Sequence, residues 1–215
     1  MIQPSRFHEV GWRVIQHAAA TRFRTGSLAQ GVVLAQAISG LAGAGDRPHL
    51  DLRPDGVTVR LVADDRSVLT ENDLTLAAGI SAVASDLDIA ADPACVQNVQ
   101  IAIDALVMAD VLPFWQAILG YDFVELTGDS LVDPKHIGPT VWFQQMDAPR
   151  PQRNRIHVDL YVPHEQAEGR IAAAIEAGGR IVYDGHAPLW WTLADPEGNE
   201  VDVAPWPDLD EPEEG

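Results

Sequence analysis

Two short stretches combine an imidazole with a carboxylate at a spacing that can move protons or hold a cation. In DRPHLDLRPDGVTVRL, residues 46–61, His49 stands two positions before Asp51. Residues two apart on a strand share a face, and an imidazole with an ordinary pKa near 6.5 can both give and take a proton at neutral pH. The same residues equally suit a hairpin entry in which His49 is bonded to Asp51 or to solvent. In NRIHVDLYV, residues 154–162, alternation puts His157, Asp159 and Tyr161 on one face and Ile156, Val158 and Leu160 on the other. By the same parity Gln100 and Asp104 share a face in VQIAIDAL. Trp190 and Trp191 are adjacent, so they point oppositely: one can stack on a flat ring in a cavity, the other belongs to a core or interface.

These residues need elements to hold them. In the first half, Trp12 to Ile15 and Thr21 to Phe23 read as short strands, and Ser27 is a helix N-cap ahead of LAQGVVLAQAISGLAG. His49 to Leu52 and Val57 to Val62 form a hairpin around the turn Arg53-Pro54-Asp55-Gly56. Thr70 with Asp73 opens a second helix through LTLAAGISAVASDL in the manner of a capping box. That order predicts an antiparallel sheet with two helices on one face, within an α+β protein. DIAADPACV reads as a linker, so the expected domains are residues 1–95 and 96–206.

The second half contains an internal repeat. Strand VQIAIDAL, helix DVLPFWQAILG and strands YDFVEL and TVWFQQM are followed by RIHVDLYV, EQAEGRIAAAIEAGG, RIVYD, WWTLAD and EVDVAPW. The offset is 57 residues from Gln100 to His157, 57 from Gln145 to Asp202, and 58 from Gly120 to Gly178. Two βαβββ modules follow from it, expected to form a curved open sheet.

Composition narrows the partners. The 215 residues are 47% hydrophobic and 21% charged, with mean hydropathy −0.03 and a formal charge of −18, which repels nucleic acid and points to a small-molecule ligand. No apolar run is long enough for a membrane span, and the N-terminal residues have no secretory apolar core, so a cytoplasmic location is expected. The single cysteine, Cys95, allows no internal disulfide. Residues 207–215 read as a solvated acidic tail. His8, His17, His136, His164 and His186 read as surface or loop residues, and GAGDRPH as a loop without the strand-to-helix context of a phosphate site. Arg150, Arg153 and Arg155 could meet an anionic substrate or form a solvated face.

With GWRV, RFRTGSLAQGVVLAQAIS, PHLDL, VTVRL and LTENDLTLA in order, the first half resembles the pterin-4a-carbinolamine dehydratase family. The resemblance implies a hydro-lyase in which histidines shuttle protons as a pterin's 4a-hydroxyl leaves. His49 matches the second family histidine and Asp51 the acid, Pro48 and Leu50 replace a histidine and the proline, and the third histidine falls near Asp64. Catalytic positions carried over are therefore His49, Asp51 and Asp64, with dehydration expected to be slow or absent because one imidazole remains of three. The second half, through FWQAILGY, NRIHVDLYV and DPEGNEVDV, resembles the vicinal oxygen chelate superfamily, in its glyoxalase-like and bleomycin-resistance-like group. That resemblance implies a cavity with a divalent metal held by the first and last strands of each module, here Gln100, Gln145, His157 and Asp202, and a lining that includes Asp104, Asp159, Tyr161 and Trp190. Both resemblances imply a possible homo-oligomer. The leading reading is a pterin-4a-carbinolamine dehydratase-like hydro-lyase fused to a glyoxalase-like domain; the alternatives are a metal-dependent glyoxalase-like enzyme centred on the second half and a non-catalytic binding or dimerisation scaffold.

Overall fold

The computed structural model describes residues 2–16, 18–45, 47–62, 68–125, 127–149 and 156–206. Asp64, His17, Arg150, Arg153, Arg155 and the acidic tail lie outside the described residues. The chain divides into two units, Met1–Asn98 and Val99–Gly215.

The first unit runs α1 (Pro4–Glu9), β1 (Arg13–Ile15), β2 (Ala18–Arg24), α2 (Leu28–Ser39), β3 (Pro48–Arg53), β4 (Gly56–Val62), α3 (Glu71–Asp86) and β5 (Ala90–Ala91). Its antiparallel sheet has the order β1-β2-β4-β3, with β5 also paired to β2. Helix α1 was absent from the sequence expectation; Pro4 at its first turn and the buried Phe7 explain it. The expected linker DIAADPACV is instead structured, because Ala90 and Ala91 pair with Arg24 and Phe23, and Asp92 forms an ion pair with Arg24. Alternation decides the faces of the sheet. Ala19 and Phe23 of β2 and Val57, Val59 and Leu61 of β4 join Phe7, Leu34, Ile38, Leu76 and Ile80 from the helices in one core.

Local polar contacts stop and start the helices as the sequence implies. Ser27 Oγ accepts from Gln30 N at 3.2 Å, and the capping box closes with Asp73 Oδ2 accepting from Thr70 N at 2.7 Å. Asp73 is also paired with Arg47 and is only 3% exposed. Burial alone would raise the Asp73 pKa, but bonds from Arg47 and Thr70 outweigh it and the net shift is downward. A carboxyl depressed in the folded state contributes stability that is complete above its unfolded value of about 3.9 and is lost as pH falls through the folded value. Asp73→Asn is therefore expected to flatten the fall in melting temperature between about pH 5 and about pH 2, read by thermal denaturation at a series of pH values.

The second unit repeats one plan. Its first module is β6 (Gln100–Ala105), α4 (Met108–Leu119), β7 (Asp122–Val124), β8 (Ser130–Val132) and β9 (Thr140–Gln145). Its second is β10 (Val158–Pro163), α5 (His164–Glu176), β11 (Arg180–Tyr183), β12 (Trp191–Ala194) and β13 (Glu200–Trp206). The four-stranded sheets have matching orders, β6-β9-β8-β7 and β10-β13-β12-β11, each with its outer and last strands parallel. Gly120 ends α4 in the left-handed region, φ 66°, which glycine enters without a Cβ penalty. Gly179 has a packing reason instead: a Cβ there would lie 2.3 Å from the Phe114 ring. The shared core takes Phe114, Trp115 and Ile118 from α4, Ile171 and Ala174 from α5, and Val201 and Val203 from β13.

Candidate functional site

The parallel pairing of β10 with β13 builds the site. Asp159 lies opposite Asp202 in that register, while Val158 and Val201 beside them pack on the core. The strand period therefore turns Asp159, Asp202 and Tyr161 to the other face. His157, just before β10, sits with its Nε2 3.2 Å from Asp159 Oδ1 and 3.8 Å from Asp202 Oδ2. One donor atom from each of His157, Asp159 and Asp202 lies within 4.8 Å of the others. The His157 and Asp159 side chains are 49% exposed and that of Asp202 is 22% exposed. Asp202 Oδ1 is buried and, among the described residues, has no hydrogen-bond partner.

Two carboxylates side by side on neighbouring strands repel. A divalent cation would remove that repulsion. One imidazole nitrogen with carboxylate oxygens is a donor set that suits borderline and hard divalent ions such as Zn, Fe and Mn. His157, Asp159 and Asp202 thus fit the divalent ion that the resemblance implies.

The ladder continues across the sheet: Asp202 pairs with Thr192 and Thr192 with Tyr183. Tyr183 contacts His186 edge-on at 5.5 Å, and His186 stacks on Trp190 at 4.1 Å with planes 29° apart. Trp191, the other tryptophan, packs against the core. Sequence reasoning singled out Trp190 but left His186 among the loop residues; a contact made through the turn between β11 and β12 has no periodic signal. Ile156 is not on the core face as alternation implied, since it precedes the strand and is 84% exposed. Asp159 was read as lining and stands instead among the potential ligands.

Gln100 and Gln145 are not brought together. Gln100 pairs with Thr140 and Gln145 with Ala105, so they occupy opposite ends of the β6–β9 pair. Gln145 Nε2 donates to the carbonyls of Leu106 and Met146 at 2.8 and 2.9 Å. The repeat offset of 57 equated Gln145 with Asp202, but the ladders correct it. Ser130 pairs with Trp142 as Thr192 pairs with Asp202, so Trp142 is the counterpart of Asp202. Likewise Ala102, opposite Trp142, stands where Asp159 stands. The first module lacks both acids, and the cluster belongs to the second module alone. Asp104 is half-buried on β6 opposite Gln144.

The turn after β12 is organised by one buried carboxylate. Asp195 is fully buried; its Oδ1 accepts from Glu197 N and Asn199 N, both at 2.9 Å, and its Oδ2 from Trp115 Nε1 at 3.0 Å and Asn199 Nδ2 at 2.8 Å. Glu197 then accepts from Leu106 N and Val107 N at 2.7 Å, supplying the cap that the α4 N-terminus lacks in its own side chains. These contacts join the two modules.

Residues 100–204 match the family described as Glyoxalase-like domain. This stretch is a glyoxalase-like domain. Among solved structures, a glyoxalase-related enzyme from Fulvimarina pelagi is 15% identical, covering 55% of this chain and 94% of its own, with a TM-score of 0.41. A glyoxalase/dioxygenase from Nostoc punctiforme is 16% identical, with 54% and 96% covered and a TM-score of 0.41. The fosfomycin resistance protein FosX from Listeria monocytogenes is 8% identical, with 53% and 93% covered and a TM-score of 0.40. A search of curated proteins gave no match. The glyoxalase-like domain spans both modules and includes the His157, Asp159 and Asp202 cluster; residues 1–99 lie outside the match. Among the described residues, no helix is long and apolar enough to cross a membrane.

In the first unit, His49 lies opposite Arg60 and Asp51 opposite Thr58, on the face of β3 away from Leu50 and Leu52. Asp51 forms an ion pair with Arg53 at 2.8 Å.

Proposed function

We propose that the glyoxalase-like domain is a metal-dependent enzyme for a small molecule bearing neighbouring oxygens, with His157, Asp159 and Asp202 as the metal-holding residues. The observation that carries this reading is the convergence of three donor atoms within 4.8 Å, one of the carboxylates having a buried oxygen without a partner among the described residues. A divalent ion bound there would polarise the substrate's oxygens and stabilise enolate-like charge. The chain's own contribution is orientation. Parallel register keeps Asp159 and Asp202 level, and His157 Nε2 lies 3.2 Å from Asp159 Oδ1. Trp190, held by its stack on His186, and Tyr161 on β10 offer flat surfaces for the body of the substrate.

The test is a melting series on metal-stripped full-length protein with Mn, Fe, Ni and Zn. Stabilisation is expected, about 2.7 kcal/mol once the free ion is a hundred times its Kd. It is expected to vanish in His157→Ala. No stabilisation, or the same stabilisation in that variant, would refute the reading.

Pterin dehydration by the first unit is the second reading, favoured by the two longer helices packed on one face of its antiparallel sheet. It predicts stabilisation by reduced pterins that disappears in His49→Ala.

A further inference from the structure

In a protein with 14 basic and 32 acidic residues, Arg13, Arg22, Arg24, Arg53 and Arg60 all stand on one face of the first unit's sheet, the face opposite α1, α2 and α3. Three of the five are neutralised: Arg22 by Asp55 at 2.8 Å, Arg53 by Asp51 at 2.8 Å, and Arg24 by Asp92. Among the described residues, Arg13 and Arg60 have no acidic partner. Arg13 spends one N–H on the Trp12 carbonyl at 2.9 Å. Both are half-buried.

The register puts these two on either side of one small residue. Arg13 pairs with Ala20, Ala20 with Arg60, and Arg60 with His49, so a single row crosses four strands. Neighbouring strands are about 4.8 Å apart, which lets both guanidinium forks close on one oxyanion above the Ala20 methyl. Ala20 is only 5% exposed although it faces away from the core, as expected if longer side chains wall it in. The next row is apolar: Ile15 pairs with Ala18 and Ala18 with Val62.

We propose that this face binds a small amphiphilic anion, its phosphate or carboxylate head held by Arg13 and Arg60 over Ala20 and its apolar body lying along Ile15, Ala18 and Val62. Uncompensated, half-buried arginines cost desolvation energy that an oxyanion returns. Size follows from charge. A long polyanion would meet the field of a chain carrying −18, whereas a small anion senses mainly the charges within a Debye length, about 8–10 Å. All residues of this site belong to the first unit.

The experiment is calorimetric titration of the full chain with phenyl phosphate, benzoate and inorganic phosphate. One aryl anion is expected to bind, the tighter of the two naming the head group, with inorganic phosphate weaker for want of the apolar row. Arg60→Gln and Arg13→Gln are each expected to weaken it at least about tenfold, the loss of a charge-assisted bond. Arg24→Gln, at the far end of β2, should leave binding within about twofold, because an exposed charge pair contributes little. Absence of aryl-anion binding, wild-type affinity in both Arg60→Gln and Arg13→Gln, equal loss in Arg24→Gln, or inorganic phosphate binding as tightly as phenyl phosphate would each overturn the proposal. Two independent variants on separate strands keep the test decisive if one of them fails to fold.

Discussion

Asp195→Ala is expected to destabilise the second unit by roughly 3–5 kcal/mol, since the loss leaves several buried donors unsatisfied at about 1–3 kcal/mol each. The donors are the Trp115 indole N–H, the backbone N–H groups of Glu197 and Asn199, and the Asn199 amide, all of which end on one carboxylate. Trp115 is among the largest fully buried side chains, so water cannot replace the lost acceptor without opening the core. The damage should spread to the first module, because Glu197, positioned by this turn, accepts from Leu106 and Val107 at the start of α4. Urea denaturation should show a lower midpoint with an unchanged slope, the sign of a stability change rather than a change of unfolded state. Asp195→Asn keeps two acceptor lone pairs and should lose about half as much. A midpoint shift below about 1 kcal/mol for Asp195→Ala would show that the turn is held by its backbone alone.

Asp202→Asn should have opposite effects with and without metal. In the metal-free protein it removes one of two carboxylates that face each other across β10 and β13, and should raise stability by up to about 1 kcal/mol. With metal, it deletes a charged donor whose neighbour oxygen is buried, and affinity should fall by more than about 100-fold, beyond the usual cost of losing an outer-shell partner. Melting with and without saturating Mn or Zn measures both. A variant less stable in both conditions would mean that Asp202 serves the fold rather than an ion.

Much of the local structure was legible because its causes are local. Ser27, the Thr70–Asp73 box, the Pro54-Asp55-Gly56 turn and Gly120 act within a few residues, and the structure has them in those roles. The faces of β3, β4 and β10 were equally readable, since a period of two needs no knowledge of a partner. Helix α1 and strand β5 escaped for the opposite reason: each is too short for a periodic pattern and depends on distant packing, Phe7 in the core and Ala90–Ala91 against β2.

The sequence by itself determined the α+β class and the repeated βαβββ plan, and alternation alone put His157 and Asp159 on one side of the β10 segment. The resemblance already named Asp202 beside His157; only the tertiary structure decided that Asp159 joins them and that Gln100 and Gln145 do not come together. The connections between the later strands differ in length between the modules, so constant numbering chose Gln145 where the hydrogen-bond ladder chooses Trp142. A β-ladder is set by the joint burial of Val158, Val201 and Val203, not by spacing along the chain, and that register is what brings Asp202 level with Asp159. The long-range pairing of β2 with β4 likewise joins two local hairpins, and so puts Arg13, Ala20, Arg60 and His49 in one row.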